Sequence, residues 1–174
     1  YFQQAINLEN WQTEYYTQLN PKNLPMEPVL DARGDQLVLA VEIDMSHVKF
    51  HVWKVSVGRS VVYLLDTNRP ENEQHYRDLT RRVYGGDSTT RIMQEVLLGI
   101  GGVRVLRSLG IQPSVFHMNE GHSAFLTLEL IREKIAEGKK FNEALAQARS
   151  QCIFTTHTPV EAGHDSFKLD LVNY

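Results

Sequence analysis

Two short apolar segments, residues 114–118 and 152–155, restrict the folds open to this chain more than any other feature. Between them, residues 120–136 and 142–149 have the three- and four-residue apolar spacing that is typical of helices. Strands joined through helices lie parallel in one sheet, with a right-handed crossover. We therefore predict an α/β fold containing a βαβ unit, with ligands bound beyond the carboxyl ends of its strands.

The region before this unit predicts a small antiparallel sheet. Residues 36–43, 49–57 and 60–65 are rich in β-branched, leucine and aromatic residues, and their alternation is typical of strands. Residues 20–28 contain three of the six prolines. Because proline is excluded from helix interiors, we predict an extended linker there.

A long buried helix is predicted to begin at Asp87. Apolar residues recur at helical intervals from Ile92 to Leu109, and Gly110 follows as a stop signal. Glycines at positions 99, 101 and 102 interrupt the pattern, each at a cost of about 1 kcal/mol relative to alanine. Such glycines indicate the close approach of another backbone, or a kink.

The bulk composition favours a single domain that binds a neutral ligand. Eighteen basic and twenty-one acidic residues give a net charge of −3, which argues against nucleic acid or a membrane as the partner. Cys152 is alone, and neither a membrane-spanning run nor a secretion signal is found, so a cytoplasmic location is expected. The chain lacks an initiator Met and a closing element, so we expect one partial domain over 1–174. Its expected parts are an N-terminal segment and linker at 1–35, antiparallel strands at 36–66 and a βαβ part at 87–174.

Polar turns follow both apolar strands. The first contains Asn119, Glu120 and His122, and the second runs through Thr155, Thr156, His157 and Thr158 towards Glu161, Gly163, His164 and Asp165. Sugar hydroxyls both donate and accept hydrogen bonds, and amide, carboxylate and imidazole groups can recognise them. The two turns therefore predict one sugar pocket.

Structural explanations remain open for several of these residues. Asn119 and Ser123 are suited to capping the following helix, and Thr155 and Thr156 to satisfying loop backbone groups. His117 lies within the strand, where a hydrogen-bonded core histidine is expected. Position in the sheet favours a ligand-binding role most strongly for His122 and His157.

Metal and phosphate sites are not favoured by the spacing. Potential ligands are numerous, but His117 and His122 are five residues apart, unlike the four-residue interval that places two imidazoles on one helical face, so no metal site is predicted. The other potential ligands are Glu120, His157, His164 and Asp165. The glycine turn Tyr84-Gly85-Gly86-Asp87 resembles a phosphate cradle, but Asp87 already supplies a negative charge to the helix start, so we predict an N-cap.

Nine ordered motifs make the chain resemble the α-glucan phosphorylases, most closely their shorter bacterial and archaeal branch. The motifs are Trp11-Gln12, Leu19-Asn20-Pro21, Val52-Trp53, Leu64-Leu65-Asp66-Thr67, Tyr84-Gly85-Gly86-Asp87, Gln94-Glu95, Leu98-Gly99-Ile100-Gly101-Gly102, His117-Met118-Asn119-Glu120-Gly121-His122-Ser123-Ala124-Phe125 and Phe154-Thr155-Thr156-His157-Thr158-Pro159-Val160. The resemblance spans the whole chain, and the last two motifs are the most specific.

The resemblance implies an internal fragment of the Rossmann-like N-terminal domain of a glycosyltransferase-B fold. The implied reaction is retaining: phosphate cleaves a terminal α-1,4-linked glucose as glucose 1-phosphate, assisted by pyridoxal phosphate. His157 matches the family histidine that contacts the glucosyl unit, and Asn119, Glu120 and His122 match the loop beside the sugar, with Thr156 and Thr158 flanking His157. The cofactor lysine belongs to segments outside this chain, so we expect no catalytic residue, no bound cofactor and no activity without the remaining domain segments.

Two departures and two alternatives accompany this resemblance. Glu120-Gly121 stands where the larger animal and plant enzymes have Asp-Thr, and Thr156 replaces an Asn. One alternative is a nucleotide-sugar glycosyltransferase of the same two-domain build. The other is a non-catalytic carbohydrate-binding module with Trp11, Trp53 and Tyr84 as stacking platforms, although Trp53 lies in an alternating strand that favours a core position.

Overall fold

The computed structural model describes residues 3–17, 19–82, 86–160 and 164–172. At the start, β1 (Gln3–Ile6) and β2 (Gln12–Tyr15) form an antiparallel hairpin that pairs with none of the other described strands. No helix in these described residues is both long and apolar enough to cross a bilayer.

A four-stranded antiparallel sheet follows, as the alternation predicted. Its strands are β3 (Glu27–Pro28), β4 (Val38–Ile43), β5 (Ser46–Val57) and β6 (Ser60–Asp66), with β5 paired to the other three. A two-residue turn with positive φ at Asp44 and Met45 joins β4 to β5, the geometry that matches the twist of a hairpin. The predicted linker differs in one respect, because Glu27 and Pro28 pair with β5. Proline is tolerated there at the end of a short edge strand.

The predicted long helix is divided into three parts. These parts are α2 (Ser88–Val96), a π-helical segment, Leu97–Gly101, and α3 (Gly102–Ser108). A separate short helix, α1 (Gln74–Arg77), precedes them. The carboxylate of Asp87 accepts the N–H of Thr90 at 2.9 Å, which confirms the predicted N-cap. Tyr84 and Gly85 lie outside the described residues. The main core packs this helical stretch against β4 and β5, with Val41, Phe50, Val52, Leu97 and Val105 buried.

Two glycines of the π-helical segment allow close packing against the rest of the chain. A Cβ on Gly99 would lie 2.6 Å from the backbone nitrogen of Leu126, and one on Gly101 would lie 3.2 Å from the ring of Phe50. The predicted close approach is therefore confirmed: the widened turn brings the helix backbone against both the sheet and the chain near Leu126.

The βαβ prediction is confirmed. β7 (Phe116–Asn119) and β8 (Cys152–Thr155) form a parallel pair, connected through a 3₁₀ turn, Gly121–Ser123, and through α4 (Leu126–Ala136) and α5 (Phe141–Gln151). Beneath them a second core cluster buries Phe116, Met118, Leu130, Ala144 and Ala148. After β8 the last described element is α6 (Leu169–Val172). The architecture is thus mixed α/β.

Two expectations about aromatic and imidazole side chains need correction. His117 was predicted to lie in the core, but the alternation of β7 buries Phe116 and Met118 and exposes His117. Its Nε2 instead lies 2.6 Å from the Thr155 hydroxyl on β8. Trp53 is only half-buried, and its indole N–H donates to the carboxylate of Asp66 at 3.1 Å.

Candidate functional site

The two polar turns meet at one edge of the β7–β8 pair. Because the strands are parallel, both turns leave the same edge, and the N–H of Glu120 continues the ladder by donating to the Thr155 carbonyl at 2.9 Å. The first turn thus begins on a backbone hydrogen bond to the second strand.

Glu120 joins the turns through its side chain as well. One carboxylate oxygen, Oε1, accepts the backbone N–H of His157 at 2.8 Å and that of Thr158 at 2.9 Å. The side chain is only 4% exposed. Hydrogen bonds from the N–H of His157 and then from Thr158, with the nearby imidazole of His157, outweigh burial and lower the pKa of Glu120 to about 2. The carboxylate is therefore the ionic centre that holds the second turn on the first.

The backbone of Glu120 is strained. Its φ of 60° and ψ of −165° lie in a region that is essentially restricted to glycine. Residues keep such a conformation only where surrounding contacts over-determine it, and such positions cluster at functional sites. Here the contacts are the three hydrogen bonds of Glu120 to the second strand and turn.

His157 stands at the exposed side of this junction. Its Nε2 lies 2.9 Å from Oδ1 of Asn119, and its Nδ1 lies 3.5 Å from the Glu120 carboxylate. With the ring proton on Nε2, His157 donates to Asn119. The side chain is 57% exposed, so the imidazole is fixed at one edge and open to a ligand.

A second polar cluster surrounds His122. Arg91 on α2 lies with Nη2 2.6 Å from Oδ2 of Asp165 and donates to Nδ1 of His122 at 3.4 Å. Glu95, one helical turn after Arg91, places Oε1 4.0 Å from the same Nη2. The cluster connects α2, the 3₁₀ turn after β7 and the segment after β8.

Charge in this cluster is distributed unequally. Burial, a hydrogen bond with Asp165 and repulsion from that carboxylate raise the pKa of Glu95 to about 7. The hydrogen bond from Arg91 lowers the pKa of Asp165, against burial. Glu95 is thus the protonated partner of an ionised Asp165 in weakly acidic solution.

Glu95, His122 and Asp165 would also suit a metal ion by residue type. One potential ligand atom from each lies within 4.8 Å of the others. However, Arg91 Nη2 lies within 2.6, 3.4 and 4.0 Å of Asp165, His122 and Glu95, respectively. The guanidinium therefore already supplies the cation that balances these carboxylates, and we assign no metal to them.

Comparison with known proteins gives the family. Glycogen phosphorylase of Mycobacterium tuberculosis is 45% identical over 179 aligned positions, covering 99% of this chain and 21% of that protein. Maltodextrin phosphorylase of Thermococcus litoralis is 44% identical over 97% of this chain and 20% of that protein. Glycogen phosphorylase of Aquifex aeolicus is 34% identical over 99% of the chain and 25% of that protein.

The chain belongs to the glycogen and maltodextrin phosphorylases. It spans about a fifth of the length of the first two relatives described. No protein-family model matches the sequence.

Four of the residues predicted to bind sugar come together in this phosphorylase chain, namely Asn119, Glu120, His157 and Thr158. Thr156 is exposed between them, while His122 belongs to the cluster with Arg91. Nε2 of His164 lies 3.0 Å from the Thr158 carbonyl. Glu161 and Gly163 lie outside the described residues.

The capping explanation for Asn119 and Ser123 is wrong. Neither the 3₁₀ turn nor α4 has a side-chain cap, and Asn119 instead accepts from His157. Thr155 likewise bonds to His117 through its hydroxyl. No local sequence pattern predicts a role for Arg91 or Glu95, although Glu95 occupies the buried side of α2 together with Ile92. A carboxylate at a buried helical position is the signal that would have identified it.

Proposed function

We propose that this chain supplies glucosyl-binding loops to an α-1,4-glucan phosphorylase of the glycosyltransferase-B fold. The enzyme transfers a terminal glucose to phosphate with retention of configuration and releases glucose 1-phosphate. The observation that carries the proposal is the hydrogen-bonded junction of Glu120 with His157 and Thr158, which places two polar turns at the carboxyl edge of parallel strands. The relatives named phosphorylases support the reaction class.

The groups at this junction divide into those that bind sugar and those that support them. His157, Asn119 and Thr156 are exposed at the edge of the sheet and offer imidazole, amide and hydroxyl groups to sugar hydroxyls. Glu120 is buried and bonded to backbone, so its contribution is to fix the positions of His157 and Thr158. Fixed positions lower the entropy cost of binding the glucosyl unit.

Pyridoxal phosphate is the cofactor that this function requires in the whole enzyme. When bound there, it would supply a phosphate group that can exchange a proton with the substrate phosphate. The lysine that would hold the cofactor is proposed to lie in other segments of the whole protein. We assign to this chain the orientation of the sugar, and we propose a cytoplasmic location for the enzyme.

Neither alternative is favoured by a specific observation. A carbohydrate-binding module needs a platform of exposed aromatic rings, but Trp53 is half-buried and bonded to Asp66, and Tyr84 lies outside the described residues. Of the two of these aromatic residues that the structure describes, Trp11 is the exposed one, at 71%. A nucleotide-sugar glycosyltransferase would differ in the donor-binding half of the protein.

The test is a phosphorolysis assay of the whole protein that contains this chain, loaded with pyridoxal phosphate. With maltodextrin and inorganic phosphate it should release glucose 1-phosphate. The 174-residue chain alone should release none and should retain no pyridoxal absorbance after gel filtration. Turnover that requires a nucleotide sugar, or turnover by the isolated chain, would refute the proposal.

A further inference from the structure

An ion pair connects two segments that are distant in the chain. Arg91 is on α2 and Asp165 follows β8, 74 residues later, with 2.6 Å between Nη2 and Oδ2. Both side chains are more than two-thirds buried, so solvent screens this pair less than an exposed one. The same Nη2 lies 3.4 Å from Nδ1 of His122.

We propose that Arg91 and Asp165 are positioning residues that act through His122, orienting its imidazole for the sugar. This inference rests on the proposed function, because it assigns the His122 ring to the glucosyl pocket.

The contact with Arg91 favours the tautomer of His122 that carries its proton on Nε2. A guanidinium has only donors, so the nitrogen that faces Arg91 must accept through its lone pair. Nδ1 is therefore unprotonated in the neutral ring, and the proton lies on Nε2, at the other side of the imidazole. Arg91 thus makes His122 a donor through Nε2, which matches the oxygen lone pair of a sugar hydroxyl.

Asp165 determines where the guanidinium lies. Its carboxylate bonds to Nη2 and lies 3.9 Å from Nδ1 of His122, on the side of the ring that faces Arg91. Glu95 lies beside the same nitrogen with its side chain 6% exposed, and its Oε1 has no hydrogen-bond partner among the residues that the structure describes. The arrangement resembles the outer-shell carboxylates that orient histidines at metal sites, with the guanidinium in the place of the metal.

A second ion pair in the chain serves as a matched control for the Arg91–Asp165 pair. Arg107 on α3 and Glu133 on α4 form a pair that is also mostly buried, with 2.9 Å between Nη2 and Oε2. This pair also connects two segments, but none of its hydrogen bonds involves the two turns. Loss of either bridge removes one ion pair, but only loss of the Arg91–Asp165 pair is expected to affect the sugar site.

The experiment compares kcat/KM for maltodextrin phosphorolysis by the whole enzyme in four variants: D165N, H122A, the D165N/H122A double variant and E133Q. We expect D165N to lower kcat/KM about tenfold, because a displaced His122 imidazole stabilises the transition state less well. In the H122A background D165N should have no further effect beyond about twofold, since coupled residues are not additive. E133Q should leave kcat/KM unchanged.

The possible outcomes separate this proposal from the proposed function. Additive losses in the double variant, or an unchanged kcat/KM in D165N or in H122A, would overturn the positioning role while phosphorolysis by the wild type still stands. If the wild type releases no glucose 1-phosphate, the proposed function fails. The positioning of His122 is then decided by crystal structures of the wild type and D165N: a rotated ring in D165N supports it, and an unmoved ring overturns it.

Discussion

The carboxylate of Glu120 accepts the backbone N–H of His157 at 2.8 Å, and this bond joins the turn after one parallel strand to the turn after the next. The same oxygen also accepts from Thr158. Two turns that are separate in sequence therefore behave as one unit, and His157 is oriented by a residue that is itself buried. The consequences can be tested through the charge of Glu120.

Acid should loosen this junction. The pKa of Glu120 is lowered from 4.5 to about 2, so between these values the unfolded chain binds more protons than the folded chain, and stability falls as the pH falls. The contribution is complete above about pH 4.5 and lost near pH 2. Urea unfolding of the chain between pH 2 and 6 should show a shallower pH dependence in E120Q than in the wild type.

Asp66 provides the comparison for that measurement. Although burial opposes ionisation, hydrogen bonds from His51, Asn68 and Trp53 lower the pKa of Asp66 to about 2. D66N should therefore also reduce the pH dependence, over nearly the same pH range. Asp66 ends β6, and its hydrogen bonds are to His51, Trp53, Asn68 and Thr80 rather than to the two turns. E120Q should impair maltodextrin binding by the whole enzyme, whereas D66N should not. An E120Q variant with the wild-type slope would contradict the role of the carboxylate.

His157 should contribute directly to turnover. In the whole enzyme H157A should lower kcat/KM for maltodextrin phosphorolysis by at least about tenfold, because it removes the exposed imidazole that Asn119 holds at the edge of the sheet. The control is H75A, which removes an exposed histidine from α1. Equal kinetics of H157A and the wild type would count against the assignment.

The elements of the fold followed from patterns in the sequence, but the partners of individual polar side chains did not. The short apolar segment at 114–118 correctly predicted a strand, yet His117 was assigned to the wrong face because a strand's inward face depends on packing from α4 and α5. Glu95 was missed for a related reason. Helical spacing places it on the buried side of α2, but its partner Asp165 is 70 residues further along the chain, and no local pattern connects them.

Replacing Gly99 or Gly102 with alanine should have opposite effects on the free energy of unfolding. G99A would place Cβ 2.6 Å from the Leu126 nitrogen, so α4 or the π-helical segment must move, at a cost of about 1–3 kcal/mol in the free energy of unfolding. G102A meets nothing within 4 Å in a helical backbone and should stabilise the chain by up to about 1 kcal/mol. Urea denaturation of both variants checks this, and equal effects would contradict the close approach at Gly99.

Glu95 should give a pH dependence of opposite sign to that of Glu120. Its pKa is raised from 4.5 to about 7, so in this range the folded chain holds more protons than the unfolded chain, and stability falls as the pH rises. Above about pH 7 an ionised Glu95 faces Asp165, and Arg91 must balance both carboxylates. E95Q should remove this decline in urea unfolding free energy between pH 5 and 8, while E137Q, at an exposed glutamate just after α4, controls for the change in net charge. A decline that persists in E95Q would show that another group titrates there, and the buried acid of α2 would then have no part in the pH response.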